Sequence, residues 1–112
     1  MHIKMCTIVI MMERDGIFEW DTEKAKTNLT KHRVSFVEAK EAFYDPNGIE
    51  IYDHLHSKHE HRFTLTGHSS QRLLLVVFKE LPGDRVRIIS AREPDFDERE
   101  DYEKSLIQNL FE

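Results

Sequence analysis

Ten residues from Asp53 to Arg62 read DHLHSKHEHR and carry histidines at 54, 56, 59 and 61. Imidazole can ligate a metal or move a proton near neutral pH. A three-histidine zinc site needs converging rings and supporting hydrogen bonds. H-x-H-x-x-H-x-H alone is not a metal pattern, so a polar loop is the plainer reading and no metal or other cofactor is expected. The single cysteine, Cys6, allows no internal disulfide and no thiolate zinc site within one chain.

A second constellation is Lys24, Asn28, Lys31 and His32, at i, i+4, i+7 and i+8. On a helix they share one polar face. Two ammonium groups there could hold an anion and His32 could move a proton; an ordinary solvated face has the same spacing. A third set is Arg62, Arg87 and Arg92, all on predicted strands. A guanidinium amid apolar strands needs an anion. Internal acids such as Glu60 or Asp53 would serve, and so would a phosphate held in a bidentate fork. The internal pairing is the simpler of the two. Trp20, Phe18 and Tyr102 could stack on bases, and each fits a core equally well.

The elements that must position these groups can be read along the chain. With 112 residues it has the length of one domain, able to bury a core without staples. Residues 1–16 read as an N-terminal extension to a core of about 17–110. Their apolar run, Met5 to Met12, is too short to span a membrane and lacks a signal-peptide cleavage pattern. It is either an edge strand or an over-extended gene start. Asp21 suits an N-cap for a helix over Thr22–His32, with Ala25 and Leu29 as core contacts. Ser35 and Glu38 have capping-box spacing and open a second helix with Phe36, Ala39 and Phe43 inward. Asp45–Gly48, DPNG, ends it.

Four strand segments follow: GIEIYD, HRFTLTG, RLLLVVF and RVRIISAR. The third is apolar on both faces and reads as central. Short turns between the last three predict an antiparallel meander. In the last, alternation groups Val86, Ile88, Ser90 and Arg92 on one face. A final helix over about Asp95–Leu110 carries Tyr102, Leu106 and Leu110 at i+4. The fold class is α+β: a small antiparallel sheet, two N-terminal helices and a C-terminal helix.

The net charge of −5 argues against a surface coated in basic patches. Its distribution is uneven. Asp21–Val34 is locally basic, whereas Glu93–Lys104 sets seven acids against Arg99 and Lys104. That tail reads as a solvated helix face, or more sharply as a contact for a basic partner.

FEWDTEKAKTNLTKHRVSF, EAFYDP, then Asp53, Ser57, Glu60 and Arg62, then Gly67, Ser69, LLLVVF and RIISAR together resemble the BrnT family of bacterial toxins, from about Phe18 to Tyr102. The resemblance implies a RelE-like fold and metal-independent cleavage of RNA that inhibits translation in the cytoplasm. It also implies a BrnA-like antitoxin, a 2:2 heterotetramer and contact with operator DNA only through the antitoxin. Within DHLHSKHEHR the family pattern picks out Asp53, Ser57, Glu60 and Arg62. His54, His59 and His61 fall at variable positions, and His56 stands where the family often has histidine. The stretch then serves to position Arg62.

On this footing Arg62, Arg92, His32 and Lys24 are the catalytic candidates. Lys31, Arg87, Trp20 and Asn28 are RNA contacts, and Glu60 and Tyr102 are further candidates, with Glu60 paired to Arg87. Two departures stand out. Arg33 replaces a glycine common in the family, at a strain of roughly 1 kcal/mol. The acidic EPDFDEREDY replaces a more basic stretch, although Glu98 and Tyr102 keep an E-x-x-x-Y spacing. The alternative expectation is a weak or inactive copy that survives as the antitoxin-binding half of an autorepressing complex.

Overall fold

The structure, a computed structural model, describes residues 11–111. The start-codon question and most of the apolar N-terminal run lie outside the described residues. From Met12 the chain forms strand β1 (Met12–Asp15), which turns through Gly16 and Ile17 into β2 (Phe18–Asp21). Gly16, at φ 61°, supplies the left-handed backbone a two-residue hairpin needs. Asp21 then caps α1 (Thr22–His32), its carboxylate accepting from the amides of Glu23 and Lys24 at 2.8 and 3.1 Å. After α1 come α2 (Phe36–Glu41), a 3-10 turn (Ala42–Tyr44), β3 (Ile49–Tyr52), β4 (Arg62–His68), β5 (Leu73–Leu81), β6 (Arg85–Arg92) and α3 (Phe96–Asn109).

The sheet runs β1-β2-β6-β5-β4-β3. β3 to β6 form the antiparallel meander, but β2 joins β6 in parallel. The expected small antiparallel sheet is therefore a six-stranded mixed one. Phe18–Trp20 is the cause. Phe18 and Trp20 enter the core while Glu19 turns to the other face, which is strand alternation compressed into three residues. So short a run carries little periodic signal. Among the described residues no helix is long and apolar enough to cross a membrane.

The core lies between one sheet face (Leu74, Val76, Phe78, Ile88, Ala91) and the Phe36 and Ala39 side of α2. Leu29, expected in the core, is half exposed, and Asn28 is the buried residue of α1. β2 pairs only with the start of β6, so the far half of that β6 edge has no strand beside it. Asn28 fills the gap. Its amide donates to the Ala91 carbonyl at 2.8 Å and accepts from the Ala91 amide at 3.0 Å, copying a strand's pattern. It also donates to the Val34 carbonyl at 2.9 Å.

Ser35 caps α2 by accepting from the Glu38 amide, but Glu38 does not return the bond. Its carboxylate is drawn instead to Arg72 and Ser69. The reciprocal capping box is at Asp95 and Glu98, opening α3. Along α3, Tyr102 is buried but Leu110 is exposed, so the expected i+4 stripe faces the protein only at its start.

The alternation of β6 is broken once. Its register steps from Val77↔Ser90 to Phe78↔Ile88, leaving Ile89 as an extra residue. This bulge reverses the parity expected from a regular strand. Val86, Ile88 and Ala91 face the core; Arg87, Ser90 and Arg92 share the opposite face.

Candidate functional site

The face opposite the core carries a row of polar side chains in direct cross-strand register. Arg14, Glu19, Arg87, Lys79 and Arg62 are successive partners across β1, β2, β6, β5 and β4. Asp53, whose amide donates to the Arg62 carbonyl at 2.8 Å, extends the row. Register partners point to the same side at strand spacings of about 4.8 Å, so like charges would repel without intervening carboxylates. Glu19 serves Arg87 at 2.6 and 2.9 Å and also Arg85. Burial raises the Glu19 carboxyl, but the two guanidiniums outweigh it and hold it low. Arg87 is thus paired with Glu19, not with Glu60 as expected.

Glu60 bridges Arg62 Nε at 2.7 Å and Lys79 Nζ at 3.0 Å. Lys79 and Arg62 together hold its carboxyl at about 2. Only Nε of Arg62 is used; its terminal amino groups have no hydrogen-bond partner among the described residues. Glu60 therefore orients the guanidinium and leaves its fork open.

Beyond this row, a hollow of about 290 Å³ is lined by Arg62, Thr64, Leu75, Val77, Ser90 and Arg92, together with Asp53, His56, Ile89 and Glu98. Glu98 takes both terminal nitrogens of Arg92, at 2.8 and 3.1 Å. That pairing holds the Glu98 carboxyl low and raises the Arg92 guanidinium. Ile89 and Ser90 also line a second hollow, of about 320 Å³, with Lys24, Asn28, Lys31 and His32 on its α1 wall. Each hollow alone is at the small end for a ligand pocket. Both are lined by Ile89 and Ser90, so the two hollows adjoin along β6 as a shallow groove with the length for an extended ligand.

The structure brings Arg62 and Arg92 together, and Lys24, Lys31 and His32 onto the adjoining wall. It commits Trp20, Asn28 and Tyr102 to other work, while Glu60 stays bonded to Arg62. Trp20 is 4% exposed and packs edge-on against Phe36, so it serves the core and offers no free face to a base. Asn28 has its amide fully engaged by backbone. Tyr102 is buried beside His68 and donates to Asp45 at 2.5 Å; burial, and then Asp45, push its hydroxyl above the ordinary range.

The histidines of DHLHSKHEHR diverge. His54 packs on the Tyr52 ring, His61 meets the Tyr52 hydroxyl, and His56 Nδ1 lies 2.8 Å from Asp53 Oδ2. No three His, Cys, Asp or Glu side chains converge among the described residues. Ser57 pins the loop at its base, donating to the Asp53 carbonyl at 2.5 Å and accepting from the Arg62 amide at 3.0 Å. The His56–Asp53 contact in the groove was not foreseen. Its one sequence signal is the D-x-x-H spacing, which fits a turn in which Asp53 Oδ1 also accepts from the His56 amide at 3.3 Å.

The crystal structure of the Brucella abortus ribonuclease toxin, BrnT, is similar in fold, with a TM-score of 0.53 at 22% identity. The match covers 68% of this chain and 92% of that one. No curated protein matches. The family profile described as the ribonuclease toxin, BrnT, of type II toxin–antitoxin systems matches residues 20–98. That span holds both arginines, the α1 wall and the whole Asp53–Arg62 loop, and by it the chain belongs to the BrnT family of ribonuclease toxins.

Proposed function

We propose that this chain is itself a metal-independent endoribonuclease, acting in the cytoplasm on single-stranded RNA laid along the groove over Ser90. The fold would then be shared with RelE-type toxins. The observation that carries the reading is Arg62: held at Nε by Glu60, it has terminal nitrogens with no hydrogen-bond partner among the described residues, and it lines a hollow together with Arg92. Cleavage by attack of a 2′-hydroxyl builds negative charge on the phosphate. Arg62 meets that charge first, and Arg92 joins when phosphate displaces Glu98. Lys24 and Lys31 hold flanking phosphates on the α1 wall, and His32 stands among them as a proton-transfer candidate. Arg87 acts through the field of the cross-strand row. Purified chain incubated with single-stranded RNA in excess EDTA, beside Arg62→Ala, tests this. Cleavage by the wild type alone supports it; equal cleavage by both removes Arg62 from the site.

A type II toxin has an antitoxin, and we propose a BrnA-like one, in a 2:2 complex that reaches operator DNA only through the antitoxin. A second reading has its own support. Glu98 already occupies Arg92, and α3 is rich in acids while Ile107, Leu110 and Phe111 are well exposed. On that reading the chain is a weak toxin retained to hold a basic antitoxin. Growth arrest on expression without the antitoxin separates the two.

A further inference from the structure

We infer that His56, steered by Asp53, is the proton-transferring group of the groove; the inference rests on the ribonuclease reading above. A general base must reach the proton it takes and be held in the productive tautomer. His56 meets both needs. Its Nδ1 is 2.8 Å from Asp53 Oδ2, and it lines the hollow with Arg62, Ser90, Arg92 and Glu98. Asp53 is fixed from two sides, by its amide on the Arg62 carbonyl and by Ser57 on its own carbonyl. Burial raises the Asp53 carboxyl, but bonds from His56 and backbone amides outweigh it and keep it low. An ionised carboxylate only accepts, so Nδ1 carries the hydrogen and Nε2 presents its lone pair. The ring is 65% exposed, leaving Nε2 open to an arriving strand.

Among the described residues no other imidazole nitrogen has a carboxylate partner. His32 has no hydrogen-bond partner among the described residues and stands in the neighbouring hollow. His54 and His61 are taken up by Tyr52. The groups facing His56 are Asp53 on its own loop, Arg62 from β4, Arg92 from β6 and Glu98 from α3. The two arginines suit a phosphate; the dyad beside them suits the hydroxyl next to it.

The step balances. The 2′-hydroxyl oxygen forms a bond to phosphorus as its proton passes to His56 Nε2. The bond from phosphorus to the 5′ oxygen breaks, and that oxygen takes a proton from water. The products are a 2′,3′-cyclic phosphate and a 5′-hydroxyl, and the imidazolium returns its proton to the hydroxide formed. Asp53 is a positioning residue throughout.

The test is the rate of cleavage of a single-stranded RNA in EDTA between pH 5 and 9. Wild type, His56→Gln, Asp53→Asn and the control His59→Gln are compared, with RNA affinity and circular dichroism measured on each. His56→Gln is expected to lower kcat by about 10²–10⁴-fold, flatten one limb of the pH profile and leave RNA affinity within about twofold. Asp53→Asn is expected to lower kcat without moving KM, and His59→Gln to change nothing. Imidazole in the buffer should restore part of the rate to His56→Ala. Wild-type kcat and profile in His56→Gln overturn the assignment and leave the ribonuclease reading standing. Loss of rate with loss of RNA affinity, and no rescue, overturns it in favour of a binding role. A wild type that cleaves at no pH overturns both.

Discussion

Arg62 and Arg92 are chemically alike and differently committed. Glu60 touches Arg62 at Nε only, whereas Glu98 grips both ends of the Arg92 fork. Glu98→Gln should therefore release Arg92 while keeping a side-chain acceptor for the Asp95 amide. RNA affinity should rise by about 1 kcal/mol, roughly fivefold; unchanged affinity in a titration at fixed salt would show that Arg92 does not meet RNA. Glu60 makes a prediction about pH. Its folded carboxyl is held at about 2, below its ordinary value of 4.5, so the stability it adds is complete above about 4.5 and drains away as pH falls toward 2. The difference in urea midpoint between wild type and Glu60→Gln should be largest near neutrality and close toward pH 2. Residue types alone singled out Arg62, Arg87 and Arg92, because a guanidinium among apolar strands demands an anion, but they did not divide the paired from the open one. They hid His56, since a histidine in a polar loop looks the same with or without a carboxylate beside it.

At the scale of elements, three single positions decide how neighbours fit. Asn28 replaces a missing strand, and Asn28→Ala would strip partners from the Ala91 amide and the Ala91 and Val34 carbonyls. A loss of about 2–3 kcal/mol is expected in urea unfolding. Gly67 in β4 lies under the 3-10 turn, where an added Cβ would stand 2.7 Å from the Ala42 carbonyl oxygen. Gly67→Ala should cost about 1–3 kcal/mol, because backbone must move. Arg33 closes α1 at φ 60°, where L side chains are strained. Arg33→Gly should gain roughly 0.5–1 kcal/mol, read as a higher thermal midpoint. The caps at Asp21 and Ser35 and the central place of β5 were legible, because each rests on local chemistry or local pattern. The parallel β2–β6 pairing was not: it joins segments more than sixty residues apart through a three-residue signal. Asn28 was misjudged because its helical spacing matches a solvated face, and only the truncated neighbour strand makes it an inside residue.

For the molecule as a whole, net charge misleads. The face opposite the core places Arg14, Arg62, Lys79, Arg85, Arg87 and Arg92 against Glu19, Asp53, Glu60 and Glu98, an excess of positive charge on a chain of net −5. The acids that set the total crowd onto α3. RNA binding should accordingly weaken steeply with salt, and Arg62→Ala should reduce the slope of log affinity against log salt by about 0.7. A slope equal to the wild type's would place Arg62 away from phosphate. The uneven charge was visible in the sequence, but the row was not, since register across five strands is a property of the assembled sheet. The bulge at Ile89 bears on how this face is kept. Arg87 and Arg92 are five positions apart, an odd interval that an unbroken strand would split between its two sides. One surplus residue makes the count even again. Deleting that surplus residue would leave an interval of four, so Arg92 would stay outward and Ala91 inward on a strand that has lost its bulge. Relatives can therefore shed this one amino acid and keep the arginine, giving up only the local bend and added twist that the bulge supplies.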